Sequence, residues 1–150
     1  PNVVKVDTGR VQHTMVIPFA TADMTDNTDT DTGFDTGTNK YFLPYPFVRV
    51  LTADAGETLD VGTANDADGF IQNISVATAG LVRPRHGGSP VVTQTLGALF
   101  IVQGSSLTDN DVPQAHVEST SANINMTLDT TTVDTAEGFV YLPYILSNAP

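Results

Sequence analysis

The chain has 150 residues, enough to bury roughly 70% of the surface its unfolded form would expose, so a core can hold it together without covalent staples. It contains no cysteine, which excludes disulfide frameworks, thiolate zinc sites and thiol nucleophiles together and leaves oligomerisation as the source of any added stability. Six basic residues against seventeen acidic ones give a net charge of -11, a sign that disfavours nucleic acid, whose non-specific affinity comes from phosphate neutralisation.

In chain order, the sequence opens on an arm, residues 1–10, in which Val3, Val4 and Val6 surround Lys5 and Arg10 closes the segment. No charged-then-apolar leader precedes it, and no apolar run approaches the ~20 residues a membrane span requires, so a cytosolic product with no membrane partner is expected. The charge is uneven: Lys5 and Arg10 stand against Asp7 in the first twenty residues, and no Lys or Arg follows Arg85. Such a layout suits a base seated on something and an acidic face turned to solvent.

Helical spacing is nearly absent, because Gly, Pro or Thr/Asp clusters cut every candidate window. Short runs rich in Val, Ile, Phe, Tyr and Thr predict strands over residues 3–6, 11–19, 41–51, 58–62, 70–76, 96–102, 122–128 and 139–146, separated by turn signals such as Asp68-Gly69, Gly87-Gly88 and Asp109-Asn110. Ile124, Met126 and Leu128 alternate with Asn123, Asn125 and Thr127, the pattern of a strand with one face in a core and one in water. About eight such strands predict an all-β, jelly-roll-like β-sandwich comprising the whole chain as one domain. Phe42-Leu43-Pro44-Tyr45 and Tyr141-Leu142-Pro143-Tyr144 echo each other; proline cannot donate to a ladder, so both are expected at sheet edges or bends.

Residues 21–39 differ in kind, with five aspartates among threonines and little to bury, and are expected to form a long acidic loop. Asn27, Asp29, Asp31 and Asp35 offer hard oxygen ligands at alternate positions, as calcium loops do. An EF-hand would need Gly where Thr32 stands and a bidentate Glu where Thr38 stands, so a solvated loop braced by side-chain turns is the favoured reading and no cofactor is expected. Ser105 and Ser106 lack the glycine two positions on that a nucleophile elbow uses. His13, His86 and His116 share no metal-ligand spacing. The pairs Asp66 with Asp68 and Asp109 with Asp111 sit among turn residues, where aspartate bends the backbone. No enzyme is expected. Arg83-Pro84-Arg85-His86 concentrates two of the six positive charges and is read either as a turn or as an inter-subunit contact through Arg83, Arg85 and His86.

Two stretches resemble a known family. Gly62-Thr63-Ala64-Asn65-Asp66-Ala67-Asp68-Gly69-Phe70-Ile71, followed by Ile74-Ser75-Val76-Ala77-Thr78-Ala79-Gly80, and the end Gly138-Phe139-Val140-Tyr141-Leu142-Pro143-Tyr144, look like the small head proteins encoded beside the major capsid protein in tailed bacteriophages, the capsid decoration or cement proteins. The likeness spans residues 41–82 and the last dozen residues; residues 21–39 and 83–88 depart from it. The resemblance implies a protein made in the host cytoplasm that binds the outer surface of a phage head as a homotrimer, with the major capsid protein as partner. The arm, with Val3, Val4, Lys5, Val6 and Arg10, is the expected capsid contact, since it is positively charged and its apolar strand can add to a neighbour's sheet edge. The alternatives are a head-surface adhesin binding glycans and a tail or fibre subunit.

Overall fold

The computed structural model describes residues 12–85, 95–102, 112–129 and 135–146. Its strands are β1 (Gln12–Ala20), β2 (Thr30–Asp35), β3 (Lys40–Phe42), β4 (Phe47–Thr52), β5 (Thr58–Thr63), β6 (Asp66–Ser75), β7 (Gly80–Val82), β8 (Ile101–Val102), β9 (Val112–Pro113), β10 (Asn123–Asp129) and β11 (Glu137–Leu146). Sheet A runs β1-β11-β4-β7, with β3 also paired to β11; sheet B runs β2-β10-β5-β6; β8 and β9 form a separate pair. All the strand pairings are antiparallel. The chain steps between the sheets in the order of a jelly roll, so the all-β sandwich expected from the alternation is the observed architecture.

Alternation explains how the sheets close on each other. Ile124, Met126 and Leu128 of β10 point inward with Leu59 and Val61 of β5, while Ile17 and Phe19 of β1, Val48 and Val50 of β4 and Val140 and Leu142 of β11 line the facing sheet. At one end the core is aromatic: the Phe70 ring lies 5.1 Å from Phe42 and 5.4 Å from Phe100, centroid to centroid. All three rings are fully buried.

Several boundaries differ from the sequence expectation, each for a physical reason. The run 41–51 is two strands, because Pro44 and Pro46 interrupt the ladder and the Tyr45 N–H turns back to the Leu43 carbonyl. The turn expected at Asp68-Gly69 falls at Ala64 and Asn65, and β6 already begins at Asp66. Residues 96–102 hold a 3-10 turn, Ala98–Phe100, before β8. Pro143 lies within β11, a central strand, contrary to the edge expectation. It sits where the neighbour changes, since β4 pairs as far as Tyr141 and β3 takes over at Tyr144, so its missing donor falls in the gap.

The largest correction concerns residues 21–39, whose second half contains strand β2. Asp31 and Asp35 face solvent while Thr30, Thr32 and Phe34 are half-buried, and the Thr32 hydroxyl donates to the Ile124 carbonyl at 2.6 Å. Asn123 Nδ2 donates to Asp31 Oδ2 at 2.9 Å, and Thr127 Oγ1 to Asp29 Oδ1 at 2.7 Å. An aspartate-rich strand is tolerated because β2 is the sheet edge and the β10 side chains opposite are donors.

Candidate protein-contact face

The two outer faces of the sandwich have opposite chemistry. On sheet B the outward positions carry Asp31, Asp35 and Asp60 with Asn123 and Thr127, and Asp29 joins them through Thr127. On sheet A the outward positions in the middle of the sheet are apolar and aromatic around Arg49. One row across the sheet pairs Val16 with Tyr141 and Tyr141 with Phe47; the next runs Pro18, Phe139, Arg49, Leu81. Phe47 and Tyr141 stack with centroids 4.4 Å apart and planes 10° from parallel, and Phe139 meets Tyr141 edge-on. Val16 is 41% and Leu81 55% exposed. This row of aromatic and aliphatic side chains makes sheet A the candidate contact face of a strongly acidic chain.

One end of this face is recessed. Tyr45, 52% exposed, donates its hydroxyl to Gln12 Oε1 at 3.0 Å across the sheet. With Phe47, Arg83, Pro84 and Pro143 these residues line a hollow of about 270 Å³. Arg83 follows β7 and lines this hollow with Phe47, and Arg49 pairs with Leu81 across the same sheet, so both arginines border the aromatic surface. Among the described residues neither has a carboxylate within ion-pair distance; Lys40 pairs with Asp35 at 4.0 Å.

A second recess opens between the free edges of β1 and β2. Pro18, Phe19, Met24 and Met126 wall a slot of about 190 Å³, and Asp23 and Asp31 stand at it. The exposed Pro18 belongs to both surfaces.

A polar cluster gathers where sheet B meets the segment before β10. Gln72 Nε2 donates to Asp68 Oδ2 at 2.7 Å, and His116 Nε2 lies 3.0 Å from Glu118 Oε1. Partial burial pushes the Asp66 carboxyl above the usual carboxylate range, Asp68 adds to the rise through a hydrogen bond and its charge, and His116 opposes it. His116 also exchanges backbone hydrogen bonds with Phe42 at 2.8 and 2.9 Å, and its ring meets Phe70 edge-on, so the cluster spans both sheets.

Of the residues singled out from sequence, Arg83 lines the sheet A recess, and Arg85 follows it with its N–H donating to Thr95 Oγ1 at 2.7 Å. His86 lies outside the described residues, as do Val3, Val4, Lys5, Val6, Arg10, Gly87, Gly88, Ser105, Ser106, Asp109 and Asp111. The four calcium candidates do not converge. Asn27 adopts a positive φ of 53° and donates its N–H to the Leu128 carbonyl; Asp29 is taken by Thr127, Asp31 by Asn123 and the Gly33 N–H, and Asp35 by Ser121 and Lys40. Among the described residues no group of three or more His, Asp or Glu is arranged to hold a metal ion. His13 stacks on Tyr144 at 5.4 Å. Phe47, Phe139 and Tyr141 lie inside apolar runs, so nothing in the sequence marks them as outward-facing.

No model of a known protein family matches the sequence, and no curated protein matches it. Among solved structures, a chain of a cyanophage Pam1 capsid asymmetric unit has the same fold, with a TM-score of 0.53 at 13% identity, covering 93% of this chain and 87% of that one.

Proposed function

We propose that this chain is a structural subunit of a phage head, a decoration or cement protein that binds the outer capsid surface and stabilises it by protein–protein contacts. The observation that carries this reading is the opposed chemistry of the two outer faces. Sheet A offers stacked aromatics and arginines, the residue types enriched where proteins meet, and sheet B offers aspartates suited to solvent. The shared fold with a chain of the cyanophage Pam1 capsid asymmetric unit supports a place in a capsid. In this reading the major capsid protein is the partner, the subunits form a homo-oligomer of trimer type, and the protein acts without catalysis or cofactor.

The arm holding Val3, Val4, Lys5, Val6 and Arg10 is proposed to seat the subunit on the lattice, and Arg83, Arg85 and His86 to meet a neighbouring subunit. Deleting residues 1–10 is expected to abolish binding to expanded heads while leaving the melting temperature of the isolated protein within a few degrees. Undiminished occupancy by the shortened chain removes the arm from the reading. The half-exposed Tyr45 beside Gln12 and Arg83 is the one feature favouring a glycan-binding adhesin instead; glycan-array binding lost in Tyr45→Ala would turn the assignment that way.

A further inference from the structure

We infer that the arginine-bearing face of sheet A takes the acidic β1–β2 edge of a second copy of this chain, head to tail. This rests on the structural-subunit reading above and names the occupant of the face. The charge layout carries it. Arg49 and Arg83 stand among exposed aromatic and aliphatic side chains with no carboxylate partner among the described residues, in a chain with an excess of eleven negative charges. Carboxylates without a cation are abundant, but they lie elsewhere: Asp23 stands at the slot between β1 and β2, and Asp26 is exposed in the chain that joins those strands.

One molecule does not bring these groups together. β1 and β7 are the two ends of sheet A, three strand spacings or about 14 Å apart, and Arg49, on β4 two spacings from β1, faces away from sheet B. A second copy can. Its slot offers Met24 for Leu81 to cover, and Asp23 at its rim for the guanidinium groups. Because the two surfaces differ, the contact is heterologous, and each copy uses both; it closes into a ring or extends as a row, and sheet B stays open to solvent in either case.

The test uses the whole chain in three variants, Arg49→Glu with Arg83→Glu, Asp23→Lys with Asp26→Lys, and all four together. Association is read by sedimentation velocity at low and high salt, and folding by melting temperature, which these exposed substitutions should leave unchanged. Wild type should associate and dissociate with salt, each double variant should associate at least about a hundredfold more weakly because like charges meet, and the fourfold variant should recover wild-type association. A wild type that stays monomeric at low salt overturns the pairing. So does normal association by the aspartate variant, which would mean that the arginine face pairs with itself, or failure of the fourfold variant to recover. Head occupancy is measured separately, so loss of this pairing and loss of the subunit reading give different results.

Discussion

Phe70→Ala tests whether the two sheets are held by the aromatic cluster at their buried end. The ring is fully buried, with Phe42 and Phe100 within 5.4 Å and His116 edge-on at 6.2 Å. Truncating a buried phenylalanine costs about 3–5 kcal/mol through lost transfer energy and the cavity left behind. Each aromatic pair adds about 0.5–1.5 kcal/mol beyond area burial, which places this site near the upper end. Against a total of about 5–15 kcal/mol, the variant should keep its fold only narrowly, with a melting temperature lower by about 10–20 °C. Thermal melting by circular dichroism and urea unfolding give the two numbers, and the urea slope should be unchanged if only stability moves. Phe139→Ala is the control: its ring points outward on sheet A, so it should cost less than half as much. A Phe70→Ala loss below about 2 kcal/mol, or one no larger than that of Phe139→Ala, would refute the reasoning.

Gly138→Ala should destabilise strongly, because a methyl group there would overlap the Arg49 carbonyl oxygen and press on the Phe19 ring, at the point where β11 and β4 shift register; a loss of about 2 kcal/mol or more in urea unfolding is expected, from strain that the buried backbone cannot relieve. Asp66→Asn should raise the melting temperature at neutral pH. The Asp66 pKa is raised by burial and Asp68, so the ionised form costs stability above that pKa, and the cost fades as pH falls through it and is gone below the usual 3.8; the variant's advantage should vanish in acid, and a constant advantage would contradict the assignment. Millimolar calcium should leave the melting temperature unmoved, because Asp29, Asp31 and Asp35 already accept hydrogen bonds from separate partners; a rise of several degrees would show a site.

How much was legible in the sequence depended on whether a strand has one apolar face or two. β10 reads cleanly because Ile124, Met126 and Leu128 alternate with polar residues, and the sandwich follows from several such runs. In β11, Phe139, Val140, Tyr141 and Leu142 are apolar in succession, so no period says which pair leaves the core. Only the register with β1 and β4 shows Phe139 and Tyr141 to be the outward pair. β2 was hidden for the opposite reason: Thr30, Asp31 and Thr32 look like loop until the β10 side chains that bind them are known. The Asp66, Asp68, His116 and Glu118 cluster joins residues about fifty positions apart, a neighbourhood created by topology alone. The arginine surface was half-visible, as Arg83 stood out in a basic segment while Arg49 sat unmarked inside a strand run.

A shell component of a phage head, as proposed for this chain, is present in many copies on the head and not on the tail. Counting its copies in purified, DNA-filled particles, and locating them by cryo-electron microscopy, tests that most directly. Hundreds of copies are expected, spread over the outside of the head shell, with sheet B's aspartates facing solvent. A handful of copies confined to the tail, or none on the head, would contradict it.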